Sequence, residues 1–134
     1  MENSHLDSNI KHENFELKDI RIELGRSKEV ESLGKVQNIN VYYKGSLIIN
    51  SDEKNTSDKL YLVTKEDGTS FIGDVFLPAE LQGKGLAPKI LQVVSNTLHT
   101  KILPSYLVGN HYTSPNAKKM WEKIGNVVNP DKEV

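Results

Sequence analysis

Leu77-Pro78-Ala79-Glu80-Leu81-Gln82-Gly83-Lys84-Gly85-Leu86-Ala87-Pro88 carries an apolar strand through a glycine-rich turn and directly into a helix. Gly83 and Gly85 let the backbone approach a ligand closely or take positive φ, which other residues avoid. Pro88 suits the first helical position, where its missing N–H would have had no partner. Ile90, Leu91, Val94 and Leu98 then recur at helical spacing. The first amides of such a helix lack intrahelical partners and sit at the positive end of its dipole. The turn is therefore a ready anion site, and a diphosphate is its natural guest.

The pattern narrows the diphosphate ligand. A P-loop needs Lys and then Ser or Thr after its last glycine, whereas Gly83-Lys84-Gly85 is followed by Leu86. The dinucleotide fingerprint needs three spaced glycines and an acidic residue after a second strand, and the chain has neither. Gln82-x-x-Gly85-x-Ala87 instead resembles the acyl-CoA signature of the GNAT N-acyltransferases, (Arg or Gln)-x-x-Gly-x-(Gly or Ala). Read alone, the same residues also describe a glycine turn before an ordinary helix.

Ser114-Pro115-Asn116-Ala117-Lys118-Lys119-Met120-Trp121-Glu122-Lys123-Ile124-Gly125 is similar to the late helix of the same family. Ser114 is a good N-cap, Pro115 a good first residue and Gly125 a good C′ residue. Ala117, Met120, Trp121 and Ile124 share one apolar face, with Lys118, Lys119, Glu122 and Lys123 outside it. The two segments occur in the family's order and spacing. The resemblance spans Phe71 to Asn126, less than half of the chain. It implies an α+β fold with a mixed, mainly antiparallel sheet and two principal helices, at about 87–99 and 114–124.

The 134 residues suit one domain, expected over 14–134 behind a flexible tail at 1–13. Net charge is −1, and Lys and Arg are scattered, so there is no electrostatic footprint for nucleic acid. No apolar run is long enough to cross a membrane, and Met1 to Glu13 lacks the apolar stretch of a secretory signal. Cysteine is absent, which fits a cytoplasmic protein and removes thiol chemistry. His5 and His12 have no metal-like spacing with other ligands, and no metal is expected.

The amino-terminal half reads mostly as strands. Ile20, Ile22 and Leu24 alternate with charged residues. Gly25 to Gly34 reads as a polar connection with one helical turn. Val36 to Ile49 is extended, with Ile39, Val41 and Tyr43 on one face and a bend at Lys44-Gly45-Ser46. Asn50 to Lys59 is a polar loop. Leu60 to Thr64 and Ser70 to Leu77 flank a hairpin turn with Asp67-Gly68 at its tip. A strand is expected at Ser105 to Gly109, between the helices. No amphipathic helix precedes Ala87, where the family places one or two that wall the acceptor site. After Asn126 there is room for one short strand, where the family continues into a closing pair. The expectation is a reduced GNAT-like domain with its cofactor half intact.

The resemblance implies acyl transfer from acetyl-CoA to an amine, small molecule or protein, by direct attack on the thioester. The turn residues Gln82, Gly83, Lys84, Gly85, Leu86, Ala87 and Pro88 would meet the CoA diphosphate, chiefly through amides, with Pro88 offering none. Val75, Phe76 and Leu77 would meet the pantetheine arm through their backbone. Asn116 and Trp121 complete the implied cofactor site. The family's general acid is a tyrosine whose match here is Trp121, and an indole cannot protonate a thiolate. Tyr112 and His111, after the expected strand, are the candidate catalytic residues. A non-catalytic CoA-binding, regulatory or protein-interaction domain is the alternative, and a homodimer stays open. The tail composition cannot offset the entropy of ordering it. Deleting Met1 to Lys11 should leave the thermal midpoint nearly unchanged; a large drop would show that the tail docks.

Overall fold

The computed structural model describes residues 15–54, 59–75, 77–108 and 113–131, without the side chain of Asp74. Among these are six strands: β1 (Ile20–Val30), β2 (Gly34–Tyr43), β3 (Ser46–Ile49), β4 (Leu60–Thr64), β5 (Ser70–Val75) and β6 (Leu103–Pro104). Three helices follow or interrupt them: α1 (Leu86–Leu98), the one-turn α2 (Ser105–Val108) and α3 (Pro115–Lys123). The strands form one sheet in the order β1-β2-β4-β5-β6, with β3 also paired to β2. Every pairing is antiparallel except that of β5 with β6. The protein is thus α+β with a mixed, mainly antiparallel sheet, and its amino-terminal half is built of strands.

One face of the sheet is apolar because side chains alternate along each strand. Ile39 and Val41 of β2 are fully buried, with Ile22 and Leu24 of β1 directly opposite them. Leu60 and Leu62 of β4 and Ile72 of β5 extend the same cluster. α1 lays Leu86, Ile90, Leu91 and Val94 on this face, and α3 adds Trp121. The tight turns match their residues. Lys44 (φ 50°) and Gly45 (φ 84°) both lie in the left-handed region, as a two-residue hairpin loop requires. Gly68 (φ 91°) follows Asp67, whose carboxylate accepts from the Thr69 amide at 2.9 Å.

The α3 boundaries follow from local chemistry. The Ser114 hydroxyl accepts from the Ala117 amide at 3.3 Å, Pro115 opens the helix, and Gly125 (φ 89°) ends it. The Asn126 amide then donates back to the Trp121 carbonyl at 2.8 Å. Past the helix, Val128 and Ile102 exchange two backbone hydrogen bonds of 2.9 Å, an isolated antiparallel bridge. Gln92 and Asn96 of α1 hold the same segment through the Asn129 carbonyl (2.7 Å) and the Asp131 amide (2.6 Å).

Three expectations are corrected. Gly25 to Gly34 is not a connection: β1 runs on to Val30, and only Glu31 to Leu33 turns. Leu24 pairs with Ile39 and Ser27 with Gln37, so Gly25 and Arg26 together oppose Asn38 as a β-bulge. The Arg26 amide finds Asp52 Oδ1 at 2.9 Å, and the Gly25 carbonyl accepts from Gln37 Nε2 at 2.9 Å. A Cβ on Gly25 would lie 2.4 Å from Asp52 Oδ2, so any other residue would push the Asp52 carboxylate off its partners. The strand expected at Ser105 to Gly109 is displaced. β6 is Leu103–Pro104, Ser105–Val108 is helical, and Gly109 lies outside the described residues. Pro104 brings no N–H to the ladder, which ends pairing there. Finally, α1 begins at Leu86, so Pro88 is its third residue. That position is still within the first turn, where no amide has an intrahelical acceptor, so the helix loses no bond.

Asp52 also accepts from Asn38 Nδ2 at 2.9 Å. The Arg26 amide and then the Asn38 amide hold its carboxyl below the ordinary aspartate range, against a smaller opposing effect of desolvation. A folded-state pKa below the unfolded value contributes stability that is complete above the unfolded pKa, about 4. It is lost as pH falls through the folded-state pKa. Asp52→Ala should cost about 1–2 kcal/mol at neutral pH. The gap in urea midpoint between parent and variant should close in acid; a gap unchanged near pH ~2 would refute this account of the bulge.

Candidate functional site

β5, the glycine turn and α1 form one continuous unit. β5 and β6 are parallel, but only Phe71 pairs with Leu103 and Ile72 with Pro104. β5 continues to Val75, which still faces Leu60 of β4. β6 stops at Pro104, and the chain coils into α2. Beyond Ile72, therefore, no described strand pairs with β5 on its β6 side. This end of the pairing lies at the carboxyl ends of the parallel strands, where α/β sheets place their ligands, and α2 contacts β5 beside it.

From Leu77 the chain makes one 3-10 turn, Ala79–Leu81, and reaches Gln82. The exposed Gln82 donates from Nε2 to the Leu77 carbonyl at 2.9 Å and so braces the turn. Gly83 (φ 72°) and Gly85 (φ 83°) are both left-handed. A Cβ on either would meet no heavy atom within 4 Å, so conformation rather than crowding selects glycine, and the space beyond is open. An L side chain in that conformation costs about 1–2 kcal/mol. Gly85 is the N-cap of α1, and no side chain caps the helix. The amides of Gly85, Leu86 and Ala87 thus sit at the positive end of a 13-residue helix with no carbonyl four residues back.

The other expected site residues divide by burial. Leu77, Leu86 and Trp121 point into the common core, and Val75 and Ala87 are half-buried against it. Lys84 and Pro88 are half-buried, while Asn116 is exposed on the first turn of α3. Phe76, His111 and Tyr112 lie outside the described residues. Contact with a ligand through side chains is therefore open to few of these residues; the backbone of the turn is the accessible surface.

Tyr106 carries no site signal in the sequence, where Ser105 to Gly109 reads as a strand. It sits on α2, two residues after Pro104. Its hydroxyl donates to Asn126 Oδ1, and Lys118 Nζ lies 5.5 Å from its ring centre. Desolvation, and then Glu122, push its pKa up, so it stays a neutral phenol. A second depression, of about 430 Å³, is lined by Arg26, Asn50, Asp52, Glu53 and Lys54. Its Asp52 carboxylate is committed to the β1 bulge. Among the described residues no three acidic or histidine side chains cluster as a metal site, and no helix is long and apolar enough to cross a membrane.

Comparisons of the chain with protein-family models, with curated proteins and with solved structures return no match.

Trp121 is 4% exposed and shares its helix face with the half-buried Ala117, Met120 and Ile124. Trp121→Ala should cost on the order of 3–5 kcal/mol, as removal of a buried aromatic does. Trp121→Phe should be mild. Denaturant melts would measure both, and an unchanged midpoint for Trp121→Ala would contradict a core role.

Proposed function

We propose that the chain is an acyl-CoA-dependent N-acyltransferase of the GNAT type, moving an acetyl group from acetyl-CoA to an amine. The observation that carries this reading is the strand–turn–helix unit. β5 loses its β6 neighbour after two paired residues and leads into two left-handed glycines at an uncapped helix start. A diphosphate suits that start, since the amides of Gly85, Leu86 and Ala87 and the helix dipole all favour an anion. The stretch of β5 beyond Ile72, which no described strand pairs on that side, suits an extended arm carrying amide groups, which can bond to a strand as a further strand would. Gln82 serves this site by bracing the turn through the Leu77 carbonyl.

Acetyl-CoA supplies the activated acyl group. The chain's part is to hold the diphosphate, align the arm on β5 and manage protons. His111 and Tyr112 are the proposed proton carriers, with solvent as the remaining route. The reading implies a cytoplasmic protein with no resident metal. One observation favours a second reading, a CoA-binding regulatory or interaction domain without turnover. Trp121, at the position that matches the family's acidic tyrosine, is buried in the core and offers only an indole N–H.

Acetyl-CoA at about a hundredfold over its Kd should stabilise the protein by roughly 2.7 kcal/mol, seen as a raised melting temperature. Gly85→Glu puts bulk and negative charge at the helix start. It should abolish CoA binding by calorimetry while circular dichroism reports a folded chain. Undiminished affinity in that variant would sink the proposal. Turnover with a panel of amines separates the two readings. Loss of turnover in Tyr112→Phe or His111→Ala, with CoA affinity unchanged, would identify the proton carrier. CoA binding without turnover by the parent would favour the binding protein.

A further inference from the structure

β1 ends the sheet, and among the described residues no strand pairs with its outer edge. Its regular part is short. The bulge at Gly25-Arg26 breaks the edge, leaving Ile20-Arg21-Ile22-Glu23-Leu24 as an uninterrupted run. Ile20, Ile22 and Leu24 lie on the core face, opposite Tyr43, Val41 and Ile39. Burial falls steeply along them: Ile20 is 5% exposed, Ile22 half-buried and Leu24 54% exposed. Leu24 is thus an apolar side chain on the core face with too little protein over it. Arg21 and Glu23 stand on the other face. They pair at 2.7 Å, with Arg21 stacked 4.1 Å from the Tyr42 ring centre and the Tyr42 hydroxyl donating to Glu23 at 3.2 Å.

A partly apolar edge that no described strand pairs is a template for another strand. This one is complementary to itself. A two-fold axis that keeps both cores on one side of a joined sheet must place residues of equal parity opposite each other. Within the regular run there are three such centres. An axis at Arg21 sets Arg21 against Arg21, and one at Glu23 sets Glu23 against Glu23. An axis at Ile22 sets each Arg21 against Glu23 of the other copy, and each Leu24 against the other copy's Ile20. Only this register pairs opposite charges on one face and apolar groups on the other.

We propose that β1 pairs antiparallel with β1 of a second copy about Ile22, joining two sheets into one. The bulge then limits pairing to the five residues that match, and the exposed Leu24 is the apolar rim of this interface. The inference does not depend on the CoA reading, since β1 lies at the opposite edge of the sheet from β6.

Sedimentation and light scattering on the full chain test it. The parent should be a dimer. Arg21→Glu sets Glu against Glu at two symmetric contacts and should raise the dissociation constant roughly tenfold or more. The double exchange Arg21→Glu with Glu23→Arg re-creates both opposite-charge contacts and should restore the dimer. Both side chains are about half-exposed, so the variants should fold, and circular dichroism checks this. The chain has no cysteine, so Ile22→Cys introduces the single thiol. On the axis its Cβ lies about 4.5–5.5 Å from its mate, close enough for mild oxidation to link the two copies. A monomeric parent, a dimer indifferent to Arg21→Glu, or a dimer that the double exchange fails to restore would overturn the proposal. A dimer in which Ile22→Cys stays unlinked would overturn this register.

Discussion

β2 has neighbours on both edges and one buried face, and its register constrains everything laid against it. β1 runs along one edge, while β4 and β3 share the other, β4 against residues 35–38 and β3 against 41–43. A slip of one residue would turn Ile39 and Val41 out of the core and bring Asn38 and Asn40 in. Polar groups lock the register where β3 and β4 meet. The Ser51 hydroxyl accepts from the Leu60 amide at 2.8 Å and lies 2.5 Å from the Ile39 carbonyl. The Ser51 amide donates to Asn40 Oδ1 at 2.7 Å. One buried serine therefore ties β2 to the start of β4. Without it, the amide of Leu60 would be buried without an acceptor, a cost of about 1–3 kcal/mol.

The candidate site inherits its place from that register. β4 aligned on β2 sets β5 through the Asp67-Gly68 hairpin. β5 must then cross to a parallel partner, and a parallel crossover needs a covering element such as α1. α1 can reach the core only if the chain reverses sharply after Leu77, and the left-handed Gly83 and Gly85 make that reversal. The other end of the crossover limits the pairing of β5. Pro104 ends β6 after two paired residues, and α2, which still contacts β5, replaces the strand. Glycines and short pairing are thus two consequences of one short parallel connection.

Features encoded within a few residues were legible in the sequence. Ser114, Pro115 and Gly125 bound α3 as local capping chemistry dictates, and Asp67-Gly68 marks its turn. The spacing of Ile90, Leu91, Val94 and Leu98 sufficed for α1. Features that rest on a distant partner were not legible. The β1 bulge exists because Asp52, 26 positions on, takes the Arg26 amide, so a glycine and a run of polar residues passed for a loop. Ser105 to Val108 is a short apolar run, which periodicity cannot assign between strand and helix. At the candidate site the need for glycine was readable in Gly83 and Gly85. The inward turn of Gln82 toward Leu77 was not, because a signature gives residue type and not direction.

Backbone and side chains bear unequally on the proposed activity. The proposed anion site would be made of amides, which leaves the side chains of Leu86 and Ala87 to serve the core, and both pack against it. A site of that kind persists through many substitutions provided the φ angles at its glycines are kept. Proton transfer is different, because it needs a titratable group at one place. Trp121 has been taken up by the core, and the Tyr106 phenol is committed to Asn126 with its pKa raised. A raised pKa keeps the Tyr106 phenol neutral and makes it a weaker acid than an ordinary tyrosine. For the proposed activity, binding and chemistry would therefore be separable: the backbone turn could keep an anion whatever became of the proton carriers.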